Sequence, residues 1–338
     1  MSYSRALPAP APGGIPAAGA PEVTRLGELA ARLNGAPQAR RPGTGTILSV
    51  EVLIGVPADG AARAALPLIL KGVCDRAELE ARGRPEIGSI RIAVRCQAPG
   101  ELHAEDRRPA RGAGDGERRG SILVYPFAES AVESVLRRNA AVSVLEGYGG
   151  LAIDVIDTDE ESAVSSLVES LHSAGHRRIG FLSWEIPSGG RVGRRLSGFA
   201  RGLEARGLAP NQDWILNAGA GTRVDPGRLA LRAARAVTQS GVTAFVCADD
   251  DHAYPLIRGL QALGIRVPED CSVTGFGGLE APPGLPRASS ARAALEHIGS
   301  SALTRMINRI MYPSSPPRKI LVNAQPVPGG TIAPPRQP

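Results

Sequence analysis

The sequence predicts an α/β protein built from parallel sheets covered by helices. Three observations predict it. Strand-like and helix-like segments alternate along most of the chain, which is the signature of strands buried on both faces and joined by helical crossovers. The stretch GHRRIGFLSW at 175–184 reads as an αβ junction. A helix-period run (Ala163, Val164, Leu167, Val168, Leu171) precedes it, Gly175 supplies a left-handed stop, and Ile179, Phe181 and Leu182 continue as a short buried strand. Finally, later helices carry apolar stripes: Ala253, Leu256, Ile257, Leu260 and Leu263 in one, and Leu295, Ile298, Met306 and Ile310 in another.

The first twenty or so residues are rich in Pro, Ala and Gly, with too little apolar side chain to order themselves. Residues 23–34 (VTRLGELAARLN) fit one short helix, and GAPQARRPGTG follows as a second tail-like stretch. The first strand is expected at Ile47–Val56, then a helix over 61–83 and a strand over 88–95. Residues 97–120 mix charges of both signs with glycine and proline and read as an irregular exposed loop. Strands follow at 121–125, 141–145 and 152–156, with helices at 129–138 and 160–174. The alternation continues with strands at 178–183, 214–217, 243–248, 271–276 and 319–324, and helices at 192–206, 226–240, 251–264 and 292–311.

At 338 residues and 43% hydrophobic content the chain is long enough for two lobes of ordinary size. Its net charge is +6, yet Lys71 and Lys319 are the only lysines. The excess of Arg, Ala, Gly and Pro reads as a coding bias spread over the surface rather than a nucleic-acid footprint. Cys74, Cys96, Cys247 and Cys271 are far apart and read as buried reduced thiols. The N-terminal stretch has no apolar run of signal-peptide length and no later run could span a bilayer, so a cytoplasmic location is expected.

Enzyme motifs fare poorly. The glycines of AGAGT at 218–222 lack the third glycine of a dinucleotide fingerprint. His172 and His176 have i,i+4 spacing, but Gly175 ends the helix between them, so no metal pair is expected. Asp249, Asp250, Asp251 and His252 are more simply read as acids opening a helix than as a cation site. There is no G-x-S-x-G elbow and no Cys/His couple. No catalytic residue, metal or cofactor is expected.

GHRRIGFL, RRLSGFARGLEARGL, AFVCADDDHAYPLIRGLQALGIRVPEDCSVTGF and VPGGTIAPP occur in the order and spacing found in the sensor core of LacI/GalR-type transcriptional regulators, and the chain resembles that core over residues 47–333. The resemblance implies a periplasmic-binding-protein-like type I fold: two doubly wound parallel-sheet lobes joined by crossovers, with a small metabolite, sugars included, bound in the cleft between them. It implies one lobe from 47–157 plus 287–312 and another from 158–286 plus 313–330, after a flexible segment 1–46 with one short helix and before a tail at 331–338. It further implies a homodimer.

The resemblance also carries over candidate effector contacts. Arg195, three residues before Gly198, matches an arginine that grips effector hydroxyls or carboxylates, a role suited to a planar fork of donors. Asp249 stands where such regulators commonly have Asn or Asp, and also reads as the N-cap of the following helix. Asp157 matches the acidic residue at the crossover into the second lobe, with capping of the helix near Glu160 as the plain alternative. Trp184 and Tyr254 are candidate stacking surfaces, with simple packing as their alternative. The chain departs from the pattern at Gly277, where a carboxylate usually follows Gly-Phe. On this reading Arg195→Ala should abolish ligand-induced stabilisation while leaving the unliganded melting temperature nearly unchanged.

A regulator of this type normally begins with a helix-turn-helix domain, whose second helix reads the major groove. Pro37, Pro42 and the glycines around them leave no room for that helix between residue 34 and the first strand. DNA is therefore expected as a partner only if an upstream or partner helix-turn-helix is present. Residues 23–34 are then a remnant of the missing domain's first helix or, preferably, the linker helix that follows it. The function expected is a ligand-responsive regulator. The alternatives are a stand-alone solute-binding protein and a sensor that modulates a full-length paralogue.

Overall fold

A computed structural model describes residues 45–55, 60–97, 117–185, 190–217 and 225–336. The helix expected at 23–34, the AGAGT stretch and most of the expected loop at 97–120 lie outside the described residues. The chain divides into two compact units. One runs to Ile153 and resumes over Gly299–Pro316; the other comprises Asp154–Ile298 and the chain from Pro317 onward.

In the first unit, β1 (Thr46–Gly55), β2 (Ile87–Gln97), β3 (Glu117–Val124) and β4 (Ala140–Val144) lie in the order β4-β3-β1-β2, all parallel. Helix α1 (Gly60–Gly83) connects β1 to β2, and α2 (Glu129–Leu136) connects β3 to β4. β2 and β3 reach into the segment expected to be irregular, because the Ile87–Gln97 and Glu117–Val124 backbones both pair with β1 despite their charged side chains. Cys96, at the end of β2, is exposed, contrary to the expectation of four buried thiols, because β2 is the outermost strand on this side.

In the second unit, β5 (Asp154–Asp159) pairs in parallel with β11 (Lys319–Asn323). The larger sheet runs β12-β10-β9-β8-β6-β7, built from β6 (Ile179–Leu182), β7 (Ile215–Leu216), β8 (Ala244–Cys247), β9 (Ser272–Phe276), β10 (Ser289–Arg292) and β12 (Gln325–Val327). Only β12 is antiparallel to its neighbour. The helices are α3 (Glu160–Ser173), α4 (Gly190–Glu204), α5 (Pro226–Ser240), α6 (Asp250–Ala262) and α7 (Leu295–Met311), the last of which continues into the first unit.

Strand alternation shows how this sheet is wound on both faces. Phe245 and Cys247 of β8 pack with the α5 and α6 residues Leu229, Ala233, Leu256 and Leu260, whereas Ala244 and Val246 pack with α3 and α4 through Val164, Val168, Phe199 and Leu203. The α3–α4 crossing is tight: a Cβ on Gly198 would overlap the backbone of Glu161, and one on Gly202 would crowd Val168. The α6 stripe is buried as expected except for Leu263, which lies just past the helix end and is 48% exposed.

At the αβ junction Gly175 has φ +105° and His176 N donates to Leu171 O, closing α3 as expected. His176 is buried and spans three elements. Its Nδ1 lies 2.9 Å from Thr243 Oγ1, and its Nε2 lies 3.0 Å from Ser272 Oγ and 2.9 Å from the carbonyl of Ala333. Burial pushes its pKa below the ordinary histidine value.

Candidate functional site

The functional side chains of the second unit gather beyond the carboxyl ends of β6 and β8, where open parallel sheets hold their ligands. β6 and β8 are in register at Leu182 and Cys247, so Trp184 and Asp249, two residues further along each strand, leave the sheet at the same level. Helix α4 carries Arg191, Arg194 and Arg195 at i, i+3 and i+4, on one face.

Arg195 is 2% exposed. Its Nη1 donates to the carbonyl of Ala248 at 2.7 Å and to Oδ1 of Asp249, and its Nη2 donates to Oε1 of Glu160 at 2.8 Å. The guanidinium lies 3.9 Å over the ring of Phe276, and its Nε has no hydrogen-bond partner among the described residues. Arg194 donates from Nε to Oε2 of Glu160 at 3.0 Å and pairs with Oδ2 of Asp157 at 3.3 Å. Arg191 approaches Glu160 at 3.5 Å. Glu160 thus accepts from Arg194 and Arg195 and is ion-paired with Arg191 while only 3% exposed, an arrangement that compensates a buried charge with several cations.

The structure brings Arg195, Asp249 and Asp157 into one network and separates their roles from capping. Asp159, not Asp157, caps α3, accepting from Ser162 N at 3.0 Å. Asp157 is buried and accepts from Thr158 N and Arg194. Asp249 holds the N-cap backbone position of α6, but its carboxylate makes no cap bond and turns to Arg195 instead. The side chain of Asp249 is 34% exposed even with Arg195 bonded to its Oδ1.

Tyr254 presents no open ring face. It is 5% exposed, and its hydroxyl donates to Leu279 O at 2.9 Å. Asp250 is fully buried and accepts from Leu279 N at 2.7 Å and Ser290 Oγ at 2.8 Å. It fits only because residue 275 is glycine, since a Cβ there would overlap its carboxylate. Burial raises the Asp250 pKa against the opposing pull of these hydrogen bonds. Gly277, at φ +134°, provides the turn into this loop.

Trp184 is half-buried and packs its ring 4.6 Å from that of His252, at 46°. His252 is buried, and its Nδ1 has no hydrogen-bond partner among the described residues. Burial pushes its pKa down to about 4, with Arg195 pushing the same way and Asp249 opposing. Among the described residues no three His, Cys, Asp or Glu side chains come together as a metal-holding group, and no helix is long and apolar enough to cross a membrane.

Residues 168–332 match the periplasmic binding protein-like domain. The HTH-type transcriptional repressor PurR of Vibrio cholerae is 31% identical over 157 residues, 46% of this chain and 45% of that protein. The ribose operon repressor of Haemophilus influenzae is 27% identical over 167 residues, 48% of this chain and 49% of that protein. Over that stretch the chain is similar to these repressors. Its fold is the α/β type I architecture of solved structures such as a LacI family regulator from Enterococcus faecium with bound ribose, with TM-score 0.58, 16% identity, and coverage of 85% of this chain and all of that one. The lac repressor dimer bound to operator and anti-inducer gives TM-score 0.59 at 18% identity, covering 91% of this chain and 98% of that one. The chain spans about half the length of the curated relatives it matches.

Arg195 and Asp249, both within the matched stretch, bond each other. Glu160, Phe276 and His252 were not singled out from the sequence as site residues. Only the arginine spacing in GRVGRRLSG hinted at a carboxylate partner, and nothing local marks Glu160 as that partner.

Proposed function

We propose that this protein is a ligand-responsive transcriptional regulator of LacI/GalR type. The observation that carries the reading is the buried Arg195 fork, held by Glu160 and Asp249 beyond the carboxyl ends of β6 and β8, with Arg195 and Asp249 inside the segment that matches the periplasmic binding protein-like domain. The Asp249 side chain, 34% exposed, is offered to a ligand's hydroxyl or N–H groups, and Arg195 holds its carboxylate in place. The relatives support a small-molecule effector, and the ribose and glucose bound to two structural neighbours favour a sugar. Regulation through DNA, a homodimeric state, a cytoplasmic location and a non-catalytic role belong to the same reading and draw on the repressor relatives.

A thermal-shift screen of neutral and charged metabolites tests it. A stabilising ligand whose effect is lost in Asp249→Ala supports the reading, because ligand binding raises the melting temperature by mass action. A protein that no metabolite stabilises overturns it.

A further inference from the structure

We propose that Asp250 is a positioning residue that couples the half-exposed carboxylate of Asp249 to the loop 277–288, so that a ligand contact at Asp249 changes how firmly this loop is held to the second unit. This rests on the sensor reading above and supplies the regulation of the same site.

Two adjacent side chains at the head of α6 serve different destinations. Asp249 turns to Arg195, whose Nη1 also bonds the carbonyl of Ala248, so one guanidinium pins the corner between β8 and α6. Asp250 turns the other way and is fully buried. Its Oδ2 accepts from Leu279 N at 2.7 Å and its Oδ1 from Ser290 Oγ at 2.8 Å, and Ser290 Oγ accepts in turn from Gly278 N at 3.3 Å. The carbonyl of Asp249 accepts from His252 N and Ala253 N. A shift at the corner is therefore carried into the first turn of α6, and Asp250 moves with it.

The loop has few other anchors. Among the described residues, 279–286 reach beyond the loop through two hydrogen bonds, both at Leu279 and both to α6: the N–H to Asp250, and the carbonyl from the Tyr254 hydroxyl at 2.9 Å. Ala281 and Leu285 add partly buried apolar contact, while Leu279 is 40% exposed. Loops with so few ties open at low cost.

The surroundings of Asp250 are built for this hold. A Cβ at residue 275 would overlap its carboxylate, and one at residue 277 would lie 3.3 Å from Oδ2. No arginine or lysine pairs with Asp250 among the described residues; its donors are the Leu279 N–H and the Ser290 hydroxyl. A buried carboxylate whose donors come from a loop and the strand after it gives that loop two states, held and released, because release strips the charge of a partner. Occupancy at Asp249 biases the choice between them only if its bonding differs in the two.

The test uses the full chain without ligand, so its outcome is independent of the metabolite screen. Amide exchange is read at Leu279, whose N–H makes the bond in question, against Phe245 and Val246 of β8 as the measure of general opening. Asp249→Ala should speed exchange at Leu279 relative to β8 between about threefold and tenfold, the range expected for coupled neighbours. In an Asp250→Asn background the same substitution should change it by less than about twofold, because the path is already broken. Ser290→Ala, which removes a donor to Asp250 without touching Leu279, should also shrink the Asp249→Ala effect and serves if Asp250→Asn does not fold. Tyr254→Phe removes the other tie and should leave the effect intact. Exchange at Leu279 that ignores Asp249→Ala, or an Asp249→Ala effect as large in Asp250→Asn or Ser290→Ala as in the parent, overturns the inference. Either result leaves the sensor reading to be decided by the screen.

Discussion

Nη2 of Arg195 lies 2.8 Å from Oε1 of Glu160, with both side chains 3% exposed. Removing either partner deletes a buried counter-charge from the network, in which Arg194 and Arg191 also pair with Glu160 and Asp249 also pairs with Arg195. The structure therefore reverses the expectation, drawn from the motif alone, that Arg195→Ala would leave the unliganded protein almost unchanged. Arg195→Ala and Glu160→Gln should each destabilise the second unit by about 3–5 kcal/mol, read from urea unfolding. Replacing both by methionine should cost less than either single change. A single substitution that shifts the urea midpoint negligibly would show that the pair is not buried in solution.

His252 fixes a pH dependence whose sign follows from its burial. Its folded-state pKa, about 4, lies below the ordinary 6.5, so its contribution is fully present above pH 6.5 and is lost as pH falls from there towards 4. The difference corresponds to roughly 3 kcal/mol. His176, also shifted down by burial, acts in the same direction. Asp250, shifted up, opposes the loss towards the acidic end of that window. Urea midpoints measured from pH 8 to pH 4 should fall, and His252→Gln should remove part of the slope. An unchanged slope in that variant would place the titration elsewhere.

Gly198 sets the spacing between α3 and α4. On an exposed helix surface Gly→Ala stabilises by up to about 1 kcal/mol. Here the added Cβ would overlap the Glu161 backbone, so Gly198→Ala should instead destabilise by about 1–3 kcal/mol, the usual cost of overpacking. A higher melting temperature in this variant would contradict the close crossing.

His176→Ala should free the C-terminal strap. Its ring bonds Thr243, Ser272 and the carbonyl of Ala333, so its loss leaves those groups unsatisfied. Hydrogen exchange should accelerate at Ala333, whose N–H donates to Ser272 Oγ at 3.1 Å, more than in the buried strand β8. Equal protection in both variants would assign the strap's anchorage to other contacts.

Most of the fold was legible because it is written in local periodicity. The αβ junction at Gly175, the α3 stripe from Ala163 to Leu171 and the buried strand AFVC all form as their spacing predicts. The strands that escaped notice are short and polar: β10 is SSAR and β12 is QPV, and neither has enough apolar alternation to announce itself without the neighbour it pairs with. The site was half legible for the same reason. Arg195 and Asp249 lie in recognisable motifs, but Glu160 pairs with an arginine 35 residues away, and burial of a charge is a property of the assembled core. Asp249 misled in a different way. Its position at the head of α6 is the ordinary place for a capping carboxylate, and only the approach of Arg195 from α4 turns it outward.

The anchors that secure the second unit arrive last. Thr331 Oγ1 donates to the carbonyl of Val273 and accepts from Ser289 N, and Ala333 closes on His176 from 157 positions away. On a ribosome adding roughly 5–20 residues per second, α3 through α7 emerge while β9 and His176 still lack their final partners. A nascent chain halted before residue 317 would hold a sheet without β12 and a buried imidazole with one protein contact missing. Synthesis and closure of this unit are therefore coupled, and its vulnerable interval is the time needed to make residues 317–333.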